Sequence, residues 1–81
     1  MTGANYAKAA AMFGQNYLFR AFLAARSGRY VDTVDEAAKE VRFACDVMSR
    51  ASLNTDHAAR QRWESLISEF NRYMSASKKG R

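Results

Sequence analysis

Apolar residues recur at intervals of three and four along three stretches of this chain, at residues 5–27, 33–52 and 56–77. This spacing is that of an amphipathic α-helix, and each stretch is too long for a strand. The 81 residues include no proline that would break a helix. The pattern predicts an all-α fold, an antiparallel three-helix bundle formed by residues 1–81 as one domain, with 78–81 as a tail or linker start.

The predicted helix ends have recognisable capping chemistry. Gly28 follows the first stretch, and glycine readily adopts the left-handed conformation with which many helices end. Thr33 and Glu36 have the spacing of a capping box, which predicts the start of the second helix. Residues 54–56, Asn-Thr-Asp, supply capping oxygens before the third. Joints this short favour antiparallel neighbours.

The apolar stripes predict which side chains form the core. Gly14 lies inside the first stretch, where it weakens a helix, so a close helix crossing is expected there. Asp32, Asp35, Glu36 and Glu40 are expected to face solvent. The predicted stripes are Tyr6, Ala10, Phe13, Tyr17, Ala21 and Ala24 in the first helix; Val34, Ala37, Ala38, Val41, Cys45 and Met48 in the second; and Ala59, Trp63, Leu66, Ile67, Phe70, Tyr73 and Met74 in the third.

Charge is distributed unevenly along a chain whose net charge is +5. Residues 1–31 hold four basic residues and no acidic one, and residues 60–81 hold six basic residues against two acidic ones. Residues 32–59 hold six acidic residues against three basic ones. A surface formed by the first and third helices is therefore expected to attract acidic partners.

The residue types needed for catalysis are sparse, and we expect no enzyme, cofactor or metal site in this domain. Cys45 is the only cysteine and stands among apolar residues, which favours a buried, unreactive thiol. His57 is the only histidine, and neither a catalytic triad nor a set of metal ligands converges on it by spacing. No run approaches the roughly 20 apolar residues of a membrane span, and the N-terminus lacks the features of a secretory signal. A cytoplasmic location is expected.

Several short motifs resemble the microtubule-interacting and trafficking (MIT) domain. The family pattern of Gly-x-Tyr, followed by small and apolar residues, matches Gly28, Tyr30, Val34, Ala37, Val41 and Ala44. Its closing Glu-Phe and Lys-Lys pairs match residues 69–70 and 78–79, and Arg-Gln-Arg-Trp at 60–63 looks most like the N-terminal domain of the katanin ATPases. The resemblance implies a three-helix module related to tetratricopeptide repeats. It also implies recruitment of an AAA ATPase, to microtubules as the first candidate. The second candidate is ESCRT-III, the partner of the vacuolar-sorting type of MIT domain.

The charge distribution and the resemblance together predict docking of an acidic or amphipathic partner segment in the groove between the first and third helices. The candidate contact residues are Arg20, Arg26, Arg62, Arg72, Met74 and Lys78. Two alternatives remain open: a helical export or assembly chaperone that resembles FliS, and a non-specific nucleic-acid-binding domain. Nucleic acid is the less favoured partner, because the aromatic residues of the third helix have core spacing.

Overall fold

Four α-helices form the described part of the fold. The computed structural model describes residues 5–79, with side chains described through residue 76. The helices are α1 (Tyr6–Gly14), α2 (Tyr17–Ser27), α3 (Val34–Cys45) and α4 (His57–Lys79), and a 3-10 helix (Arg50–Asn54) precedes α4. Residues 5–79 contain no strand, which confirms the all-α prediction for them. The prediction of three helices is wrong for this range, because the first stretch forms two helices.

The break in the first stretch falls at Asn16. Its Oδ1 accepts the backbone N–H of Leu18 at 2.8 Å, so Asn16 caps the start of α2 and ends the periodicity of α1. The helix phase therefore changes, and α2 buries Phe19, Phe22 and Leu23. Tyr17, expected in the core stripe, is instead 70% exposed.

Gly14 ends α1 where that helix meets α3. It is buried, and a Cβ atom added to it would lie 3.5 Å from Cβ of Ala37. The expected close approach of two helices is thus present, at the end of α1 rather than in the interior of a longer helix.

The second stretch stops being α-helical at Cys45, seven residues before the predicted end at residue 52. Asp46 adopts the left-handed conformation (φ 59°, ψ 50°), and its N–H donates to the carbonyl of Phe43. The N–H of Val47 donates to the carbonyl of Arg42 at 3.0 Å, which completes a Schellman ending. Met48, predicted in the core stripe, consequently lies outside the helix and is 93% exposed.

Three other predicted helix ends have the expected caps, whereas α4 continues to Lys79, past the predicted end at residue 77. Gly28 is left-handed (φ 75°) after α2, and Thr33 and Glu36 form a complete capping box at α3. Oδ1 of Asp56 accepts the N–H of Ala59 at 3.1 Å, at the start of α4. Although α4 is 23 residues long, no helix within residues 5–79 has the length and apolarity needed to cross a membrane.

Aromatic rings fill the space between α1, α2 and α4. The Phe19 ring lies 5.1 Å from the rings of Phe13 and Phe70 and 6.2 Å from that of Trp63, measured between centroids. Edge-to-face and tilted pairs of this kind add to the stabilisation from apolar burial. Of the stripe predicted for the third helix, Ala59, Trp63, Leu66 and Phe70 are buried, and Ile67, Tyr73 and Met74 are half-buried.

Candidate functional site

Three of the arginines predicted to meet a partner contact other parts of the chain. Nε of Arg26 donates to Glu69 at 2.9 Å across α2 and α4. Nη1 of Arg62 donates to the carbonyl of Cys45 at 3.1 Å, and Nη1 of Arg20 donates to the carbonyl of Gly14 at 2.9 Å. These bonds fix the arginines to the scaffold, and the last two bind the carbonyl groups at the ends of α3 and α1.

The other three predicted contact residues lie on α4. Arg72 is exposed, Met74 is half-buried against the core, and the side chain of Lys78 lies outside the described residues. Between α2 and α4 the Phe22 ring lies 5.5 Å from the rings of both Phe70 and Tyr73. Because these rings occupy the space between the two helices, the geometry favours a different surface for docking.

That surface is an exposed apolar patch at the C-terminal end of α3, formed by Phe43, Val47 and Met48, which we call the apolar corner. Phe43 is 64% exposed and Met48 93% exposed, while Val47 is half-buried. The three side chains line a shallow cleft of about 510 Å³. Large apolar groups held in water next to a concave surface are characteristic of binding sites.

Charged side chains complete the lining of this cleft. Lys39 and Arg42 contribute two positive charges and Asp46 one negative charge. Neither Arg42 nor Lys39 forms an ion pair with a carboxylate within the described residues. The i,i+4 spacing of Arg42 and Asp46 therefore produces no salt bridge, and no carboxylate of the described residues lies within 4.0 Å of either cation.

A half-buried ion pair between Arg29 and Glu40 lies next to Phe43. Glu40, expected to face solvent, is only 8% exposed, and both of its oxygens accept hydrogen bonds from Arg29, at 2.8 and 2.9 Å. Hydrogen bonding to Glu40 and the charge of its carboxylate raise the pKa of Arg29 above its ordinary value. Cζ of the same guanidinium lies 5.5 Å from the centre of the Phe43 ring. Arg29 thus connects the α2–α3 loop, the interior of α3 and the apolar corner.

A second cleft lies beside the cleft at the apolar corner, and Arg42 and Met48 line both. We call it the cationic cleft after Lys8, Arg42 and Arg50, the charged residues among those that line it. Asn54 holds its two walls together. Its Oδ1 accepts the N–H groups of Tyr6 and Ala7 at 2.9 and 3.2 Å, so a residue of the 3-10 helix caps the start of α1.

Cys45 lies beneath the apolar corner and is fully buried, as expected. Burial raises the pKa of its thiol to about 11, against a smaller opposing effect of the nearby Arg62 and Arg26. A thiol that remains protonated at neutral pH is a poor nucleophile and a poor metal ligand. The residue therefore belongs to the core rather than to the chemistry of the site.

Sequence reasoning missed this site because it continued the periodicity of α3 past Asp46. The available signals were Asp46, a residue type that tolerates the left-handed conformation, and Ser49, whose Oγ accepts the N–H of Ala51 at 3.1 Å and caps the 3-10 helix. In a comparison with known proteins, no family model, curated protein or solved structure matches this chain.

Proposed function

We propose that this chain is a protein-interaction module that docks an acidic, amphipathic segment of a partner at the apolar corner. The observation that carries the proposal is the exposure of Phe43 and Met48 beside a basic rim. Apolar anchors from a partner helix would bury these side chains, as in other helix-in-groove complexes. The partner's carboxylates would face the cations around them and fix the register.

The charge around the corner supports an acidic partner. The two adjoining clefts are lined by Lys8, Lys39, Arg42 and Arg50 against the single carboxylate of Asp46. This local excess of positive charge was not evident from the sequence, because the net charge of residues 32–59 is negative. Glu40 does not offset it, because its carboxylate is paired with Arg29. Glu36 accepts the N–H groups of Asp32 and Thr33 and also attracts Lys39, which leaves Lys8, Arg42 and Arg50 as the main source of the excess.

The resemblance to MIT domains indicates which partner to test first. In this proposal the chain catalyses no reaction and brings a tethered AAA ATPase to microtubules, with ESCRT-III tails as the second candidate. The rings between α2 and α4 favour the apolar corner over the groove predicted from the sequence.

Co-sedimentation of the 81-residue chain with purified microtubules, at low and at raised salt, tests the proposal. We expect binding at low salt that weakens as salt screens the basic rim. The double variant Phe43→Ser/Met48→Ser should bind about tenfold more weakly, since anchors in the centre of an interface dominate its affinity. Met12→Ser is the matched control, because Met12 is also exposed but lies outside the apolar corner.

A parallel measurement uses a synthetic helical peptide with leucines on one face and glutamates on the other, followed by fluorescence anisotropy. Binding of the peptide without microtubule binding would keep the docking module and exclude the microtubule partner. Undiminished binding by the double variant would show that docking does not use the apolar corner. The variants Arg20→Ala and Arg72→Ala would then test the groove predicted from the sequence. Absence of both interactions would refute the proposal.

A further inference from the structure

The cationic cleft carries positive charge that no described residue neutralises. Lys8, Arg42 and Arg50 line it, no carboxylate does, and none of the three forms an ion pair among the residues with described side chains. Asp46 is four residues from both arginines in sequence, yet it lies within 4.0 Å of neither cation's nitrogen atoms. Three like charges around one concavity favour binding of an anion.

Arg50 supplies a second observation. Its Nη1 is buried and has no hydrogen-bond acceptor among the described residues. A buried donor without an acceptor is costly, and a guanidinium more so than a neutral group. The other buried unpaired donor, Nε of Arg60, belongs to a guanidinium whose Cζ lies 5.5 Å from the centre of the Tyr6 ring. No aromatic ring of the described residues compensates Arg50 in this way.

The neutral oxygens that line the cleft already accept backbone groups. Oδ1 of Asn54 accepts from Tyr6 and Ala7, and Oδ1 of Asn5 accepts from Lys8 at 3.0 Å. These bonds also occupy the first amides of α1, so the helix start does not provide the anion site. Among the described residues, the cationic side chains and the Ser49 hydroxyl of the lining remain as donors.

From this excess of donors we propose that the cationic cleft binds a phosphate-sized oxyanion, free or as the phosphomonoester of a larger molecule. Guanidinium groups are suited to oxyanions, because their N–H donors match the oxygen positions and the hydrogen bonds are charge-assisted. The cleft has a volume of about 540 Å³. A water molecule takes up about 30 Å³ in the liquid, so the cleft could hold a phosphate-sized ion several times the volume of water and still have space left. A phosphoryl group attached to a side chain would therefore also fit. The inference goes beyond the proposed docking, with which it shares Arg42 and the charge of this cleft, and it is tested with small anions alone.

Titration of the ¹⁵N-labelled chain with inorganic phosphate tests this, at constant ionic strength maintained with chloride. We expect saturable amide shifts concentrated at residues 5–8 and 49–54, the two walls of the cleft. Arg50→Met and Lys8→Met should each raise the dissociation constant about fivefold or more, because each removes a charge-assisted donor. Arg72→Met, an exposed arginine outside the cleft, is the matched control and should change it less than about twofold.

Lys8 is exposed, so Lys8→Met keeps the test valid even if Arg50→Met destabilises the fold. A second arm with O-phosphoserine asks whether a phosphomonoester binds at the same amides, and tighter binding than inorganic phosphate would identify the attached group as the preferred source. Shifts no larger than those caused by chloride, or equal shifts in all three variants, would overturn the inference. So would binding of a short DNA duplex with no response to either small anion. None of these results depends on microtubules or on the peptide.

Discussion

Arg29 donates to both carboxylate oxygens of Glu40, Nε to Oε2 at 2.8 Å and Nη2 to Oε1 at 2.9 Å. The glutamate side chain is almost fully buried in α3, whereas more than half of the arginine side chain is exposed. The pair thus lies at the boundary between core and solvent. Because the same guanidinium contacts the Phe43 ring, the pair also helps to orient the apolar corner.

Removal of the Arg29 side chain should therefore destabilise the fold more than removal of an ordinary surface arginine. Arg29→Ala leaves the Glu40 carboxylate buried without its partner, which destabilises a fold more than an exposed ion pair stabilises it. We expect a lower melting temperature for Arg29→Ala than for Arg72→Ala, measured by circular dichroism. Glu40→Gln, which keeps the shape without the charge, should recover part of the loss in the Arg29→Ala background. Equal melting temperatures for the two arginine variants would contradict the role given to the pair.

Asp46 is the non-glycine residue with positive φ in the described part of the chain. Asp46→Gly should raise the free energy of unfolding by about 1 kcal/mol, because glycine adopts the left-handed conformation without a Cβ penalty. Urea denaturation measures this difference. Gly28→Ala, at φ 75°, is the converse control and should lower the free energy of unfolding by about 1 kcal/mol. A destabilised Asp46→Gly would mean that the aspartate side chain contributes more than its backbone conformation costs.

At acidic pH, the Glu36 carboxylate should no longer contribute to the stability of the folded state. Its pKa is lowered, first by the N–H of Asp32 that its carboxylate accepts and also by the Thr33 bonds of the capping box, while desolvation opposes them. A lowered pKa in the folded state means that the stabilisation is present above the ordinary carboxyl pKa and is lost as the pH falls through the folded value. Wild type should exceed Glu36→Gln in urea midpoint at pH 7, and the two should converge below about pH 4, under the ordinary glutamate pKa. A difference that is constant with pH would exclude the charge as its source.

The Cys45 thiol should react slowly in the folded protein. With a pKa of about 11, roughly one thiol in a thousand is ionised at pH 8, and the thiolate is the reactive form. We expect Ellman's reagent to label the native chain far more slowly than the urea-unfolded chain at the same pH. Rapid labelling without urea would show that the core beneath the apolar corner opens frequently.

Local capping chemistry made part of this fold predictable from sequence. The left-handed Gly28 and the capping box of Thr33 and Glu36 each depend on residues within one turn of a helix end, so the pattern alone was sufficient. The break at Asn16 was also local, but the apolar spacing continues through it and concealed the cap. The prediction followed the apolar periodicity, whereas the side-chain cap at Asn16 determined where the helix breaks.

The candidate site depends on contacts between distant residues, which a periodic pattern does not contain. The burial of Glu40 requires Arg29 from the preceding loop, eleven residues away. The exposure of Met48 follows from the conformation of Asp46, and the cationic cleft requires α1 to lie against the 3-10 helix. The apolar corner therefore became visible only when these elements were positioned in space.

The cap that Asn54 places on α1 has a consequence for the order of folding. The first N–H of that helix finds its acceptor 48 residues later in the chain, at 2.9 Å. An isolated helix of nine residues is marginal in water, so α1 should gain persistent structure only after the 3-10 helix has formed and docked. In native-state hydrogen exchange, the amides of Tyr6 and Ala7 should then open together with residues 50–54, as one cooperative unit drawn from both halves of the molecule.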